Sequence, residues 1–275
     1  MSKAKPPIPV LSDHTSIIDS HCHLDMSDYS GDLDAVIDRA VDHGVRGIVT
    51  IGIDLDSSRA AVAIARRHRA VRATVGVHPH DAETASDDVL RDIADLVQAA
   101  PAEIVGYGEI GLDYVKRYAD PEIQRTVFRK QLRLAKALNL PVIIHDREAH
   151  DDCLSILDKE GPFPAGGIMH CFSGDIAFAR QVIDCNFHVS IPGIVTYKKA
   201  DQMQEVAALV PEERLLVETD GPFLTPVPYR GKRNEPVYTL YTAEKIARIR
   251  NTDIEAIARM TTTNACALFD YDFCC

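Results

Sequence analysis

No apolar run in this sequence approaches the roughly 18 to 20 residues that a bilayer span requires. The N-terminus carries Lys3 and Lys5 with no apolar segment behind them, so no secretory leader is indicated and a cytoplasmic location is expected. A disulfide framework is missing too. The seven cysteines are odd in number; Cys153, Cys171, Cys185 and Cys266 stand singly in apolar segments, and the terminal Cys274-Cys275 pair matches no prenylation box. They read as reduced thiols. Positive charge is in deficit: 30 Lys and Arg against 41 Asp and Glu leave a net charge of -11. That excludes broad, nonspecific attraction to a polyanion but leaves room for a local basic pocket. Internal repeats and low-complexity segments are also absent.

What is present is enough for a full core: 275 residues, 46% hydrophobic and 26% charged. Residues 1–15, with Pro6, Pro7 and Pro9, have the composition of a flexible extended tail. The domain is placed at 16–270, and 271–275 form a short C-terminal tail. Eight apolar runs follow one another, beginning at Ile17, Gly47, Val71, Ile104, Val142, Gly167, Phe187 and Leu215. Helical patterns separate or follow them: Leu33 to Val41, stopped by Gly44, Ser58 to His68, Asp87 to Ala99, and a stripe from Ile123 to Leu138 behind the cap Asp120-Pro121. Then come Glu148 to Lys159, Ile176 to Cys185, Ala200 to Leu209, Tyr238 to Arg250 and Asp253 to Leu268. Continuous apolar runs suit strands covered on both faces. No glycine-rich phosphate fingerprint follows the first strand, which disfavours a doubly wound open sheet. The fold class is therefore α/β, a single (β/α)8 barrel of the TIM type, whose usual length is roughly 250 residues.

The barrel converts a strand list into a site list, because the C-terminal ends of its strands meet at one mouth. His21 and His23 follow the first strand and, one residue apart, share a face while Cys22 points the other way. Glu109 ends the fourth strand, His145 the fifth, His170 the sixth and Asp220 the eighth. Four imidazoles and two carboxylates exceed what one tetrahedral ion takes. Two divalent ions bridged by a carboxylate are expected, with Glu109 as the bridge; such a pair stabilises both the attacking and the leaving oxygen of a displacement. Asp220 serves as ligand, as base for the attacking water, or both. His78, ending the third strand, is either a substrate or outer contact or a turn residue beside Pro79; His80 is left undecided. His14, His43, His68, His150 and His188 read as structural. Arg147 and the segment Arg230-Gly231-Lys232-Arg233-Asn234 lie near the mouth, where guanidinium groups could fix a phosphate or merely form a solvated loop.

In this order, the strings DSHCHLD, GVHPH, GEIGLDY, PVIIHDREA, HCFSG, VSIPGIVTYK, LLVETDGPFLTP, YRGKRNEP and TTTNACALF closely resemble the TatD family of metal-dependent deoxyribonucleases, from about Ile17 to Phe269. The resemblance implies one ion on His21, His23, Glu109 and Asp220 and a second on Glu109, His145 and His170. It also implies hydrolysis of DNA phosphodiester bonds, with exonuclease action on single strands as the first expectation. The HxH pair places the chain with members whose site is complete. Gly221 stands where alanine is expected before the proline, and neither the extended N-terminus nor the DYDFCC ending has a counterpart in the family.

The leading function is thus a divalent-metal-dependent deoxyribonuclease, with Mg2+, Mn2+ or Zn2+ all compatible with the ligand types. A hydrolase of a small amide, ester or lactone would use the same ions. A metal-binding interaction module is poorly supported, since no ligand is missing. The expected partner is DNA, as a short or flexible strand entering a local pocket. Nothing calls for an obligate protein partner or a membrane, so a monomer is expected. Tyr114, Phe172 and Tyr197 are either base-stacking groups or packing.

Overall fold

The computed structural model describes residues 6–12 and 14–273. Lys3, Lys5 and the Cys274-Cys275 pair lie outside the described residues. Eight strands pair in parallel and in chain order: β1 (Ile17–Cys22), β2 (Val45–Ile51), β3 (Val71–Val75), β4 (Ile104–Asp113), β5 (Val142–Arg147), β6 (Gly167–Met169), β7 (Phe187–Ile191) and β8 (Leu215–Val217). The helices between and after them are α1 (Leu33–Asp42), α2 (Leu55–Arg67), α3 (Asp87–Ala99), α4 (Pro121–Ala137), α5 (His150–Glu160), α6 (Ile176–Asp184), α7 (Asp201–Leu209), α8 (Thr239–Ile249) and α9 (Ile254–Phe269). This is the (β/α)8 barrel read from the sequence.

Two apolar layers hold it together. Outward-facing strand residues and the helix stripes form the larger layer; α4 buries Val127, Phe128, Leu132 and Ala135, and Asp120 caps it by accepting the amide of Glu122. The second fills the barrel with Ile18, Val49, Ile51, Val105, Ile143 and Ile168. Phe269 and Phe273 close its lower end, the Phe273 ring lying directly against Gly47 near the start of β2. The segments read as tails therefore include packed residues: Phe273, and also Leu11, which is buried and donates its amide to His43 O at 3.3 Å. Replacing Phe273 with alanine should cost about 3 kcal/mol. A fall in the urea midpoint at constant m-value would show it, and an unchanged midpoint would make the plug dispensable.

Among the boundaries that differ from the sequence reading, two have a clear local cause. Helix α2 starts at Leu55 rather than Ser58, because Asp54 accepts the Ser57 amide while Ser57 Oγ accepts the Asp54 amide. Strand β4 continues four residues beyond Glu109 to Asp113, with Gly111 opposite His145 and Asp113 opposite Arg147. Gly111 has φ 144°, and a methyl group there would run into the carbonyl oxygen of His145. Only glycine lets β4 and β5 pair this closely.

Side chains close the barrel seam between β8 and β1. The amide and hydroxyl of Thr219 donate to the two Asp19 carboxylate oxygens at 2.8 and 2.5 Å, and Ser20 Oγ donates to Val217 O at 3.0 Å. Above them the backbone takes over: Asp220 N donates to His21 O at 2.9 Å and His23 N to Gly221 O at 2.7 Å. Burial pushes the Asp19 carboxyl up to about 8 against the opposing bonds from Thr219. No helix among the described residues is long and apolar enough to cross a membrane.

Candidate metal centre

The end of β1 sets the first half of the site. A register irregularity between Asp19 and Cys22 lets both His21 and His23 turn inward. Cys22 faces outward, its Sγ 3.5 Å from Gly221 O and 3.9 Å from the Tyr29 hydroxyl. From β8, Asp220 swings its carboxylate toward the pair from a left-handed backbone at φ 55°, a conformation that costs a non-glycine residue roughly 1 to 2 kcal/mol. His21 Nε2 and His23 Nε2 are 3.3 Å apart; Asp220 Oδ1 lies 3.8 and 3.4 Å from them, and Glu109 Oε2 3.5 and 3.8 Å. Donors about 2.1 Å from a tetrahedral ion would be separated by roughly 3.4 Å. These spacings fit a divalent cation.

The other oxygen of Glu109 belongs to a second set. Oε1 lies 2.7 Å from His145 Nδ1 and 2.7 Å from His170 Nε2, which are themselves 3.4 Å apart. Glu109 therefore stands between two donor groups with one oxygen toward each. Its own burial opposes ionisation, yet His170, His78 and His145 hold its carboxyl well below the usual range. Asp220 is likewise lowered, the imidazoles of His23 and His21 outweighing burial. Both acids are thus anionic at neutral pH, as metal ligation requires.

Two carboxylates missed in the sequence support these ligands from behind. Asp113 Oδ2 lies 3.3 Å from His145 Nε2 and 2.8 Å from His80 Nε2, while its Oδ1 accepts the amides of Val115 and Lys116. With an ion at Nδ1, Asp113 would hold the His145 proton on Nε2. Glu218 is fully buried, with Oε1 3.5 Å from His170 Nδ1 and accepting the Cys171 amide at 2.6 Å. Their spacing was the available signal. Asp113 lies four residues after Glu109 in one strand, and Glu218 two residues before Asp220 in an apolar run, where a carboxylate has to find partners.

A cavity of ≈ 720 Å³ opens over the two sets. His78 and Arg147 line it, as do Lys116 and Phe223, which were not singled out in the sequence. His78 Nδ1 accepts the His80 amide at 3.1 Å, so its proton sits on Nε2, 3.5 Å from Glu109 Oε1. Burial pushes this imidazole down to about 4, and it remains a neutral donor. Phe223 is 48% exposed and packs edge-on to His23. Arg230 is not among the lining residues: it stacks on Tyr197 at 4.4 Å. Arg233 is held by Asp32 and Glu235. Phe172 is core, and Tyr114 is tied to Asp152 and Arg125. His43, His68 and His150 engage Arg39 O, Asp34 and Asp146. His188 is buried in β7, and His14 is exposed.

Comparison with known proteins agrees with this chemistry. The family model described as TatD related DNase matches residues 18–270. An uncharacterised metal-dependent hydrolase of Bacillus subtilis, YabD, is 44% identical over 253 residues, covering 92% of this chain and 98% of that protein. The 3'-5' ssDNA/RNA exonuclease TatD of Salmonella typhimurium is 34% identical over 266 residues, covering 94% of this chain and 100% of its own length. The crystal structure of YjjV, a TatD homologue from Escherichia coli K12, superposes with a TM-score of 0.87 at 31% identity, over 93% of this chain and 98% of that one. With its ligand-type residues gathered at the barrel mouth, the chain belongs to the TatD family of metal-dependent hydrolases.

Proposed function

We propose that this protein is a two-metal deoxyribonuclease that shortens single-stranded DNA from an end. The observation that carries this reading is Glu109, one carboxylate directed at two donor sets on the floor of a cavity walled by Lys116 and Arg147. Divalent cations held there would supply Lewis acidity toward a phosphodiester and compensate charge on its attacking and leaving oxygens. The protein's own groups do the rest. Asp220, an anionic carboxylate at the cavity edge, orients the attacking water and accepts its proton. His78 donates from Nε2 to a non-bridging phosphate oxygen, and Arg147 and Lys116 hold the neighbouring phosphate. A chain of net charge -11 draws nucleic acid only to such a local patch, which favours a flexible strand over a duplex. The Salmonella relative's activity on single strands points the same way. The cavity volume also falls within the roughly 300 to 1,000 Å³ range of small-molecule pockets, which keeps an ester, lactone or amide as the second reading.

The test is digestion of end-labelled single-stranded DNA by chelator-stripped protein reconstituted with Mg2+, Mn2+ or Zn2+. Stepwise shortening is expected, reduced at least a hundredfold in Asp220→Asn; asparagine tolerates the left-handed backbone, so that variant should fold. Arg147→Ala should raise KM about tenfold and flatten the salt dependence. Intact DNA beside metal-loaded protein would sink the nuclease reading and bring the small-substrate hydrolase forward.

A further inference from the structure

One imidazole from each donor set stacks on the other. The rings of His21 and His170 are 3.8 Å apart at an interplanar angle of 8°, and each directs Nε2 toward a different oxygen of Glu109. Their Nδ1 atoms are buried without a hydrogen-bond partner, as is Glu218 Oε2. One ligating atom each from His21, His170 and Glu218 falls within 4.8 Å of the others. A fully buried carboxylate with a spare oxygen, beside two imidazole nitrogens that also lack partners, is too costly an arrangement to leave unpaired.

We infer that Glu218 is a shared positioning residue, accepting the Nδ1 protons of His21 and His170 so that one ligand in each donor set presents its Nε2 lone pair. A histidine ligand needs its far nitrogen protonated and anchored for its near nitrogen to bind. Asp113 does this for His145 alone, on one side of the site. Glu218 does it across both, so the two ions should respond together to its loss. The inference rests on the two donor sets holding ions and is independent of the substrate.

The experiment measures stoichiometry and affinity of Zn2+ and Mn2+ on stripped protein by competitive titration, for wild type, Glu218→Gln, Glu218→Asp and Asp113→Asn. Glu218→Gln should weaken both ions by about 10- to 100-fold each, and Asp113→Asn only one of them. Glu218→Asp keeps the charge but withdraws it by one methylene; it should give a smaller loss, again at both ions, and serves if the glutamine variant does not fold. Imidazole N–H resonances of the Zn2+ form give a second readout: those of His21 and His170 should move in Glu218→Gln, and those of His145 and His80, both held by Asp113, in Asp113→Asn. Unchanged affinity, loss of a single ion, or a third ion that disappears with Glu218 would each overturn the assignment. Fewer than two ions on the wild type would instead remove the two-set reading beneath it.

Discussion

Glu109→Gln is expected to lower hydrolysis at least a thousandfold, about 4 kcal/mol of transition-state stabilisation, and to leave the dialysed protein with one divalent ion or none. The carboxylate directs one oxygen at each donor set, one lying 3.5 Å from His21 Nε2 and the other 2.7 Å from His170 Nε2. An amide keeps the shape but offers one neutral oxygen in place of two charged ones, so one set loses its oxygen outright and the other its charge. Metal content by mass spectrometry and single-turnover rates measure the two effects separately. Full metal content with activity within tenfold of wild type would mean that Glu109 is not the bridge.

The second large effect lies in the backbone. Gly111→Ala should cost more than 3 kcal/mol, equivalent to about 10 °C in Tm for a chain of this size. The added methyl would collide with the His145 carbonyl oxygen at a residue with φ 144°. Relief requires β4 and β5 to part, and His145 moves with β5. Affinity should therefore fall at the His145–His170 set and hold at the His21–His23 set. Gly31→Ala is the control, since nothing lies within 4 Å of a methyl there. Equal thermal stability of the two variants would refute the packing account.

The fold was legible because parallel barrel strands are buried on both faces and so read as unbroken apolar runs, and the candidate ligands stood out because each interrupts such a run at its end. His21, His23, Glu109, His145, His170 and Asp220 all fall within one cluster. What lay inside the strands was harder to read. Asp113 belongs to a strand read as ending at Glu109; Gly111, whose missing side chain lets β4 pair on past that point, carries no apolar signal of its own. Glu218 lies inside the apolar run that ends in Asp220, with no break in the pattern to single it out. Charge near the mouth was a poor guide as well. Arg230 and Lys116 look equivalent in sequence, yet the cavity wall includes only the latter. Phe223 follows a proline at a loop tip, and no periodicity marks it as facing His23.

The seam between β8 and β1 gives the site a place in time. Asp19 and Thr219, which fasten it, are 200 residues apart, a span that takes a ribosome roughly 10 to 40 s to synthesise. His21 and His23 emerge early and Asp220 near the end. Until β8 docks, the nascent chain can offer a cation the Glu109–His145–His170 set, but the other set, whose ligands come from both sides of the seam, lacks Asp220. The two donor sets are thus complete together only in a single late event, when the last strand closes the circle.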